Sequence, residues 1–168
     1  MTDLPVPERD SDVWLQVVSF DHPDVQHLVE EVQAYYVSIY GSPDNSPIVD
    51  GEFASPDGAF VLASDRTGPV AMGGWRRRPD LIEKFEVPVA EIKRMYVTPR
   101  ARRRGISRLV VAHLERSAAA AGVELLVLET GTLQQDAIAL YESAGYERTI
   151  DFGHYADSEL SRCYAKHL

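Results

Sequence analysis

Apolar residues recur along this chain with two periods. From residue 24 to residue 40, Val25, Leu28, Val29, Val32, Tyr36 and Ile39 fall at three- and four-residue steps, which predicts a helix with one buried face. Asp21, just ahead of it, is a candidate N-cap. The same step returns in Ile106, Leu109, Val110, Leu114, Ala118 and Ala121, predicting a second helix that closes on Gly122 in the left-handed conformation. Thr132, Leu133, Gln134 and Gln135 read as a capping box for a third helix, which runs to Ala144 and ends on Gly145.

Between the helices, short β-branched and aromatic runs predict strands over 13–20, 59–64, 70–77, 92–97, 124–129, 146–150 and 160–166. The second and third are joined by Asp65-Arg66-Thr67-Gly68-Pro69, a hairpin signal, and Gly73-Gly74 inside the third predicts a bulge or a close backbone approach. The run ELLVLE at 124–129 is apolar on both faces, as a strand inside a covered sheet should be. Residues 41–58 are rich in Ser, Pro, Asp and Gly and predict a long loop. Strand, helix, hairpin, strand, helix, strand, helix and paired strands describe an α/β fold with a mixed sheet flanked by helices. The 168 residues suit one domain over 13–168, with a loose tail at 1–12.

Charge narrows the partners. Seventeen basic residues against 26 acidic ones give a net charge of −9, which argues against nucleic acid as the main partner. One cysteine, Cys163, rules out an internal disulfide and suits a reducing, cytoplasmic setting. The N-terminus has no basic start followed by an apolar core, and no apolar run reaches membrane-spanning length, so no membrane partner is expected. The histidines and acids show no metal-ligand spacing, so no metal is expected.

Against that acidic background the run from Arg100 to Arg108 stands out. It links a predicted strand, closed by Thr98-Pro99, to a helix N-terminus through Arg102, Arg103, Arg104 and Gly105. The first amides of a helix lack internal partners, the helix dipole adds about half a positive charge there, and a glycine lets an oxyanion approach the backbone. This is a geometry for a di- or polyphosphate, although a basic loop is also often only a solvated face. The chain has no Gly-Lys pair for a P-loop and no GxGxxG.

Glu91-Ile92-Lys93-Arg94-Met95-Tyr96-Val97 followed by Arg102-x-x-Gly105-x-Ser107 resembles the acyl-CoA-binding signature of the GNAT acetyltransferase superfamily, with Ser107 where the family prefers glycine or alanine. Gln134-x-x-Ala137 through Leu140-Tyr141 to Gly145-Tyr146 resembles a second block of the same family, and the two cover roughly residues 90–147. The resemblance implies a mixed, mostly antiparallel sheet and an N-acetyltransferase using acetyl-CoA to modify the amine of a small molecule by direct attack. It implies that Arg102, Arg103, Arg104, Gly105, Ile106, Ser107 and Arg108 hold the coenzyme A pyrophosphate. Met95, Tyr96 and Val97 would lie along the pantetheine arm, with Gln134, Ala137 and Tyr141 on the facing helix. Tyr141 would be the acid for the leaving thiolate; its alternative is a buried core tyrosine. Glu91 would be the base, although Lys93 on the same strand face tends to weaken it, and Glu129, His154 and Tyr155 are alternatives. Tyr36, Tyr40, Arg76, His154 and Tyr155 are candidate acceptor contacts, with Tyr36 and Tyr40 also readable as core. Cys163 has no suitable partner for a nucleophile and reads as a buried strand residue. Relatives are often homodimers. A non-catalytic acyl-CoA sensor and a protein lysine or N-terminal acetyltransferase are the other readings.

Overall fold

The structure, a computed structural model, describes residues 12–168, so the predicted tail lies outside the described residues except for Asp12. The chain runs β1 (Trp14–Val17), α1 (Pro23–Tyr40), β2 (Gly58–Asp65), β3 (Gly68–Arg77), a 3-10 turn (Pro79–Leu81), α2 (Ile82–Phe85) and β4 (Val89–Val97). It continues through α3 (Ile106–Ala120), β5 (Leu125–Gly131), α4 (Gln135–Ser143), β6 (Glu147–Arg148) and β7 (Ser161–His167). The seven strands form one sheet in the order β1-β2-β3-β4-β5-β7-β6, and only the β4–β5 seam is parallel. The architecture is the mixed, mostly antiparallel sheet that the sequence predicts.

The strands read as apolar on both faces because both are covered. On β2, Val61 and Ala63 pack under α3 with Val110, Val111, Leu114 and Ala118, while Phe60 and Leu62 pack on the other face under Val25, Leu28 and Val32 of α1. β5 alternates in the same way, Leu126 and Leu128 toward α3, Leu125 and Val127 into a third cluster with Leu81, Val89 and Phe152. By the two-residue period, Glu91 and Lys93 of β4 and Glu129 of β5 share the face with Val127, on the α1 side.

Several local expectations are corrected. His22, not Asp21, caps α1: its Nδ1 accepts from the Asp24 amide at 3.1 Å, and Pro23 fills the first helical position. α4 starts three residues after Thr132 without a side-chain cap, because Gln135 Nε2 donates to the Thr132 carbonyl instead of completing a capping box. The first strand pairs only over Trp14–Val17, since Phe20 turns inward onto Phe53 and Phe60 at ring separations of 5.1 and 5.2 Å. β6 keeps two paired residues, and four-residue α2 is too short to show a period. Helix ends at Gly122 and Gly145 follow expectation: both have positive φ, and the residue after each donates back to Ala118 and Tyr141 respectively, closing Schellman motifs.

Candidate active site

The site begins where the parallel seam stops. β4 and β5 pair only at Val89, Ala90 and Glu91 with Leu125, Leu126 and Val127. Beyond Glu91, β4 stays bonded to β3 as far as Val97, so its β5-facing backbone groups have no ladder partner. An unpaired strand edge inside a sheet is a ready template for another extended chain.

A bulge aims that edge. Met72 pairs with Tyr96 and Gly74 with Lys93, so Arg94 and Met95 both stand opposite Gly73. Arg94 takes a left-handed φ of 57°. A Cβ at Gly73 would lie 2.3 Å from Met95 Sδ, and one at Gly74 would lie 2.5 Å from the Phe60 ring. The close approach expected at these glycines is thus present, with the extra residue on the partner strand.

A cleft of about 680 Å³ opens along the free edge, lined by β4 from Ile92 to Val97, by Glu129 and Thr130 of β5, by the loop before α3, and by α4. At its far end the amides of Arg103, Arg104, Gly105, Ile106, Ser107 and Arg108 donate to no acceptor among the described residues; the first helical bond of α3 is Leu109 to Gly105. Gly105 sits at φ 72°, and a Cβ there would meet nothing within 4 Å. The arginine side chains mostly fasten the loop. Arg104 binds Asp65 at 2.7 Å, Arg108 donates to Ser143 at 2.7 Å, and Arg102 lies 5.9 Å from the Tyr35 ring. Hydrogen bonds from Arg104 and Thr67 hold the Asp65 carboxyl well below the usual range, so this anchor stays charged. The anion-binding capacity therefore rests on main-chain N–H groups at a helix N-terminus.

Across the cleft, α4 presents Gln134, Ala137 and Tyr141. Tyr141 is buried, stacks edge-on against Tyr146 at 5.6 Å, and burial pushes its phenol well above the ordinary tyrosine value. It stays protonated at neutral pH while its ring lines the cavity. Tyr40 donates to Gln134 Oε1 at 3.2 Å, tying the end of α1 to the start of α4. Tyr36 both packs in the α1 core and lines the cleft, and burial raises it to about 12.

A second cavity of about 220 Å³ adjoins the first, sharing Tyr36, Asp44, Lys93, Glu129, Thr130 and Gln134, and adding Tyr40, Tyr155 and Ser161. Asp44 organises its wall. One carboxylate oxygen accepts from Ser46 N at 2.9 Å, Ser46 Oγ at 2.6 Å and Tyr155 Oη at 3.1 Å. The other faces Arg94 Nη1 and, at 3.5 Å, Lys93 Nζ. Burial disfavours the Asp44 charge, but Lys93, Arg94 and Ser46 outweigh it and hold the carboxyl well below its ordinary range. Tyr155 also accepts from the Asn45 amide at 2.7 Å, so the loop after α1 and the loop before β7 are fastened over the pocket. His154 stacks on Tyr155 at 4.7 Å and lines neither cavity.

The two glutamates differ in surroundings. Glu91 is buried, and Arg76 donates to its Oε1 at 2.9 and 3.1 Å while Arg78 meets its Oε2 at 3.0 Å. It lines neither cavity, so the structure does not bring the expected base to the acceptor. Arg76 is likewise not an acceptor contact: its guanidinium is occupied by Glu91, by Glu52 at 2.7 Å and by the Pro47 carbonyl at 2.8 Å. Glu129, by contrast, lines both cavities with one side-chain partner, Ser161 Oγ at 3.2 Å. Burial raises its carboxyl to about 7, with Lys93 opposing and Glu91 adding to the rise. Asp44 and Arg94 were invisible in the sequence, one in a polar loop and the other inside a strand. Among the described residues no group of His, Cys, Asp or Glu is placed to hold a metal, and no helix is long and apolar enough to cross a membrane.

Comparison with known proteins agrees with this geometry. The model of the acetyltransferase (GNAT) family matches residues 25–146. The IAA acetyltransferase of Azospirillum brasilense is 35% identical over 144 residues, 86% of this chain and 90% of its own length. N-acetyltransferase 8 of Homo sapiens is 28% identical over 141 residues, covering 81% of this chain and 60% of the human protein. Among solved structures, an acyl-CoA N-acyltransferase assigned in Klebsiella pneumoniae superposes with a TM-score of 0.75 at 23% identity, over 93% of this chain and 97% of that one. Arabidopsis thaliana NAA60 in complex with acetyl-CoA gives 0.62 at 14% identity, over 93% and 98%. The two structural matches show the fold; the family model and the Azospirillum relative show that this chain belongs to the GNAT acetyltransferase family and is an acetyl-transferring enzyme.

Proposed function

We propose that the enzyme transfers an acetyl group from acetyl-CoA to the amine of a small molecule in a ternary complex. One observation carries this reading: the free inner edge of β4, the unpaired amides before α3, Glu129 and Tyr141 all converge on one continuous cleft. The residues present fit the co-substrate. Amides from Arg103 to Arg108 would hold its diphosphate, and the β5-facing groups beyond Glu91 would take its extended amide-bearing arm. When bound, acetyl-CoA supplies an acetyl carbon on a thioester.

The chain's own residues handle the protons. Glu129 takes one from the attacking amine; its carboxyl near 7 suits a base working at neutral pH. Tyr141, held protonated by burial, gives one to the departing sulfur. One N–C bond forms, one C–S bond breaks, and each residue is reset by exchange with solvent. The fastened loops around the 220 Å³ cavity favour a compact acceptor over a peptide chain. The Azospirillum relative, named for IAA, supports a small acceptor.

The test is thiol release from acetyl-CoA with a panel of amines, in wild type and Tyr141→Phe. Tyr141→Phe should lose about 10²-fold or more in kcat, in the range of a missing general acid, while its coenzyme A affinity stays unchanged. Unchanged kcat removes Tyr141 from the chemistry. Binding of coenzyme A with no turnover on any amine overturns amine acetylation.

A further inference from the structure

We propose that the acceptor amine also carries a carboxylate, and that Lys93 binds it. This deepens the acetyl-transfer reading above and rests on it. The observation is a shortage of counter-charge at the acceptor cavity wall. Lys93, which lines the cavity, and Arg94 behind it are 9% and 8% exposed, and both reach the same oxygen of one carboxylate, Asp44. Arg94 makes the closer contact, while Lys93 stands 3.5 Å off. The other oxygen of Asp44 is covered by Ser46 and Tyr155. Lys93 Nζ therefore has one good protein partner, the uncharged Ser46 hydroxyl at 2.6 Å. The neighbouring acids do not supply the missing charge. Glu91 is held by Arg76 and Arg78, and Glu129, whose side-chain partner is Ser161, would face the acceptor's own ammonium.

Arg94 repeats the pattern in a single atom: its Nε is buried with no hydrogen-bond acceptor among the described residues. A buried ammonium short of counter-charge is costly unless a ligand completes it. Among the other lining residues, Tyr36, Ser42 and Thr130 carry hydroxyls that can donate to an anion. Lys93 and Glu129 both line this cavity, so it offers a cation and an anion together, complementary to an α-amino acid or a similar zwitterion. A polyamine would set its second ammonium against Lys93 at low dielectric, where like charges repel strongly. The cavity volume of about 220 Å³, about seven waters' worth at ~30 Å³ each, limits the acceptor to a compact one.

The experiment measures kcat/KM for matched triplets: an α-amino acid, its carboxamide and the corresponding decarboxylated amine, over several side chains. Wild type should favour the best acid over its amide and amine by about tenfold or more, the size of one buried ionic contact. Lys93→Met should collapse that ratio toward one, and Lys93→Arg should retain most of it. Equal rates across the triplets in wild type, or a ratio that survives Lys93→Met, overturns the carboxylate contact and leaves amine acetylation standing. The wild-type triplets decide the matter alone if Lys93→Met does not fold. Failure of every triplet despite coenzyme A binding removes the transfer reading and this proposal together.

Discussion

Glu91 and Glu129 lie on the same face of adjacent parallel strands, two residues apart in register, and their carboxylates have different partners. Glu91, paired in register with Val127, is clamped by Arg76 and Arg78; Glu129, one two-residue step further on, faces the cleft with only Ser161 beside it. The seam ends between them, so one glutamate belongs to the closed part of the sheet and the other to the open part. We propose a structural role for the first and a chemical one for the second.

The pH dependence separates the two. With its carboxyl raised to about 7, Glu129 must lose a proton before it can act, so kcat/KM should rise with pH along a limb centred near that value. Glu129→Gln should flatten the limb and lower kcat by about 10²-fold or more. A raised carboxyl also weakens folding as pH climbs from about 4.5 to about 7, because the unfolded chain ionises first, and the loss is complete above 7. Glu129→Gln should therefore be the more stable protein at pH 8 by roughly 1–2 kcal/mol, allowing for solvent screening. Rate profiles and thermal melts across pH 5.5–9 check both.

Glu91→Ala should act on stability instead. It leaves the buried Arg76 and the half-buried Arg78 short of a partner, a change on the order of 3 kcal/mol, moderated because Arg76 keeps Glu52 and Arg78 keeps Asp80. For a chain this long that lowers Tm by roughly 6–12 °C. The folded fraction should retain the pH–rate limb of the wild type, and loss of that limb would return Glu91 to the role of base.

Most of the frame was legible because its signals are local. Two long helical periods, the hairpin turn, the apolar run of β5 and the glycines at the ends of α3 and α4 each set a structure within a few residues. The helix entrance with its free amides was legible too, since Gly105 and the start of α3 are neighbours in sequence. The second cavity was legible only in part: Tyr36, Tyr40 and Tyr155, expected at the acceptor, line it, but Asp44 was not expected, because it meets Lys93 and Tyr155 through contacts spanning 49 and 111 positions. The pairing of Glu91 was hidden for the same reason: its position in the motif is local, whereas the arginines that occupy it arrive from β3 and the turn after it.

Asp44 ties those distant segments together, so its replacement should open the pocket. Asp44→Ala strands Lys93 and Arg94 and should cost about 3 kcal/mol or more. Because the folded state holds this carboxyl below its ordinary value, its contribution is present above about pH 4 and declines as pH falls below that. Wild type and variant should therefore differ widely in Tm at pH 7 and converge toward pH 3. A constant difference across that window would show that the charge is not what matters.

Gly131 allows a cleaner test of the acceptor wall. A Cβ there would fall 1.7 Å from Tyr40 Oη, so Gly131→Ala should push Tyr40 aside and break its bond to Gln134. KM for the amine should rise by about tenfold or more while coenzyme A affinity changes little. Equal losses for both substrates would place Tyr40 in the co-substrate cleft instead.

The most direct measurement is calorimetric titration of coenzyme A into wild type and Gly105→Ala. Loop amides at the α3 N-terminus are the proposed grip on the diphosphate, and the added methyl meets no protein atom, so only its left-handed backbone strains the fold, by about 1 kcal/mol. One-to-one binding by wild type, weakened about tenfold or more in Gly105→Ala, is the expected result. No heat of binding with wild type, or equal affinity in the two proteins, would contradict it.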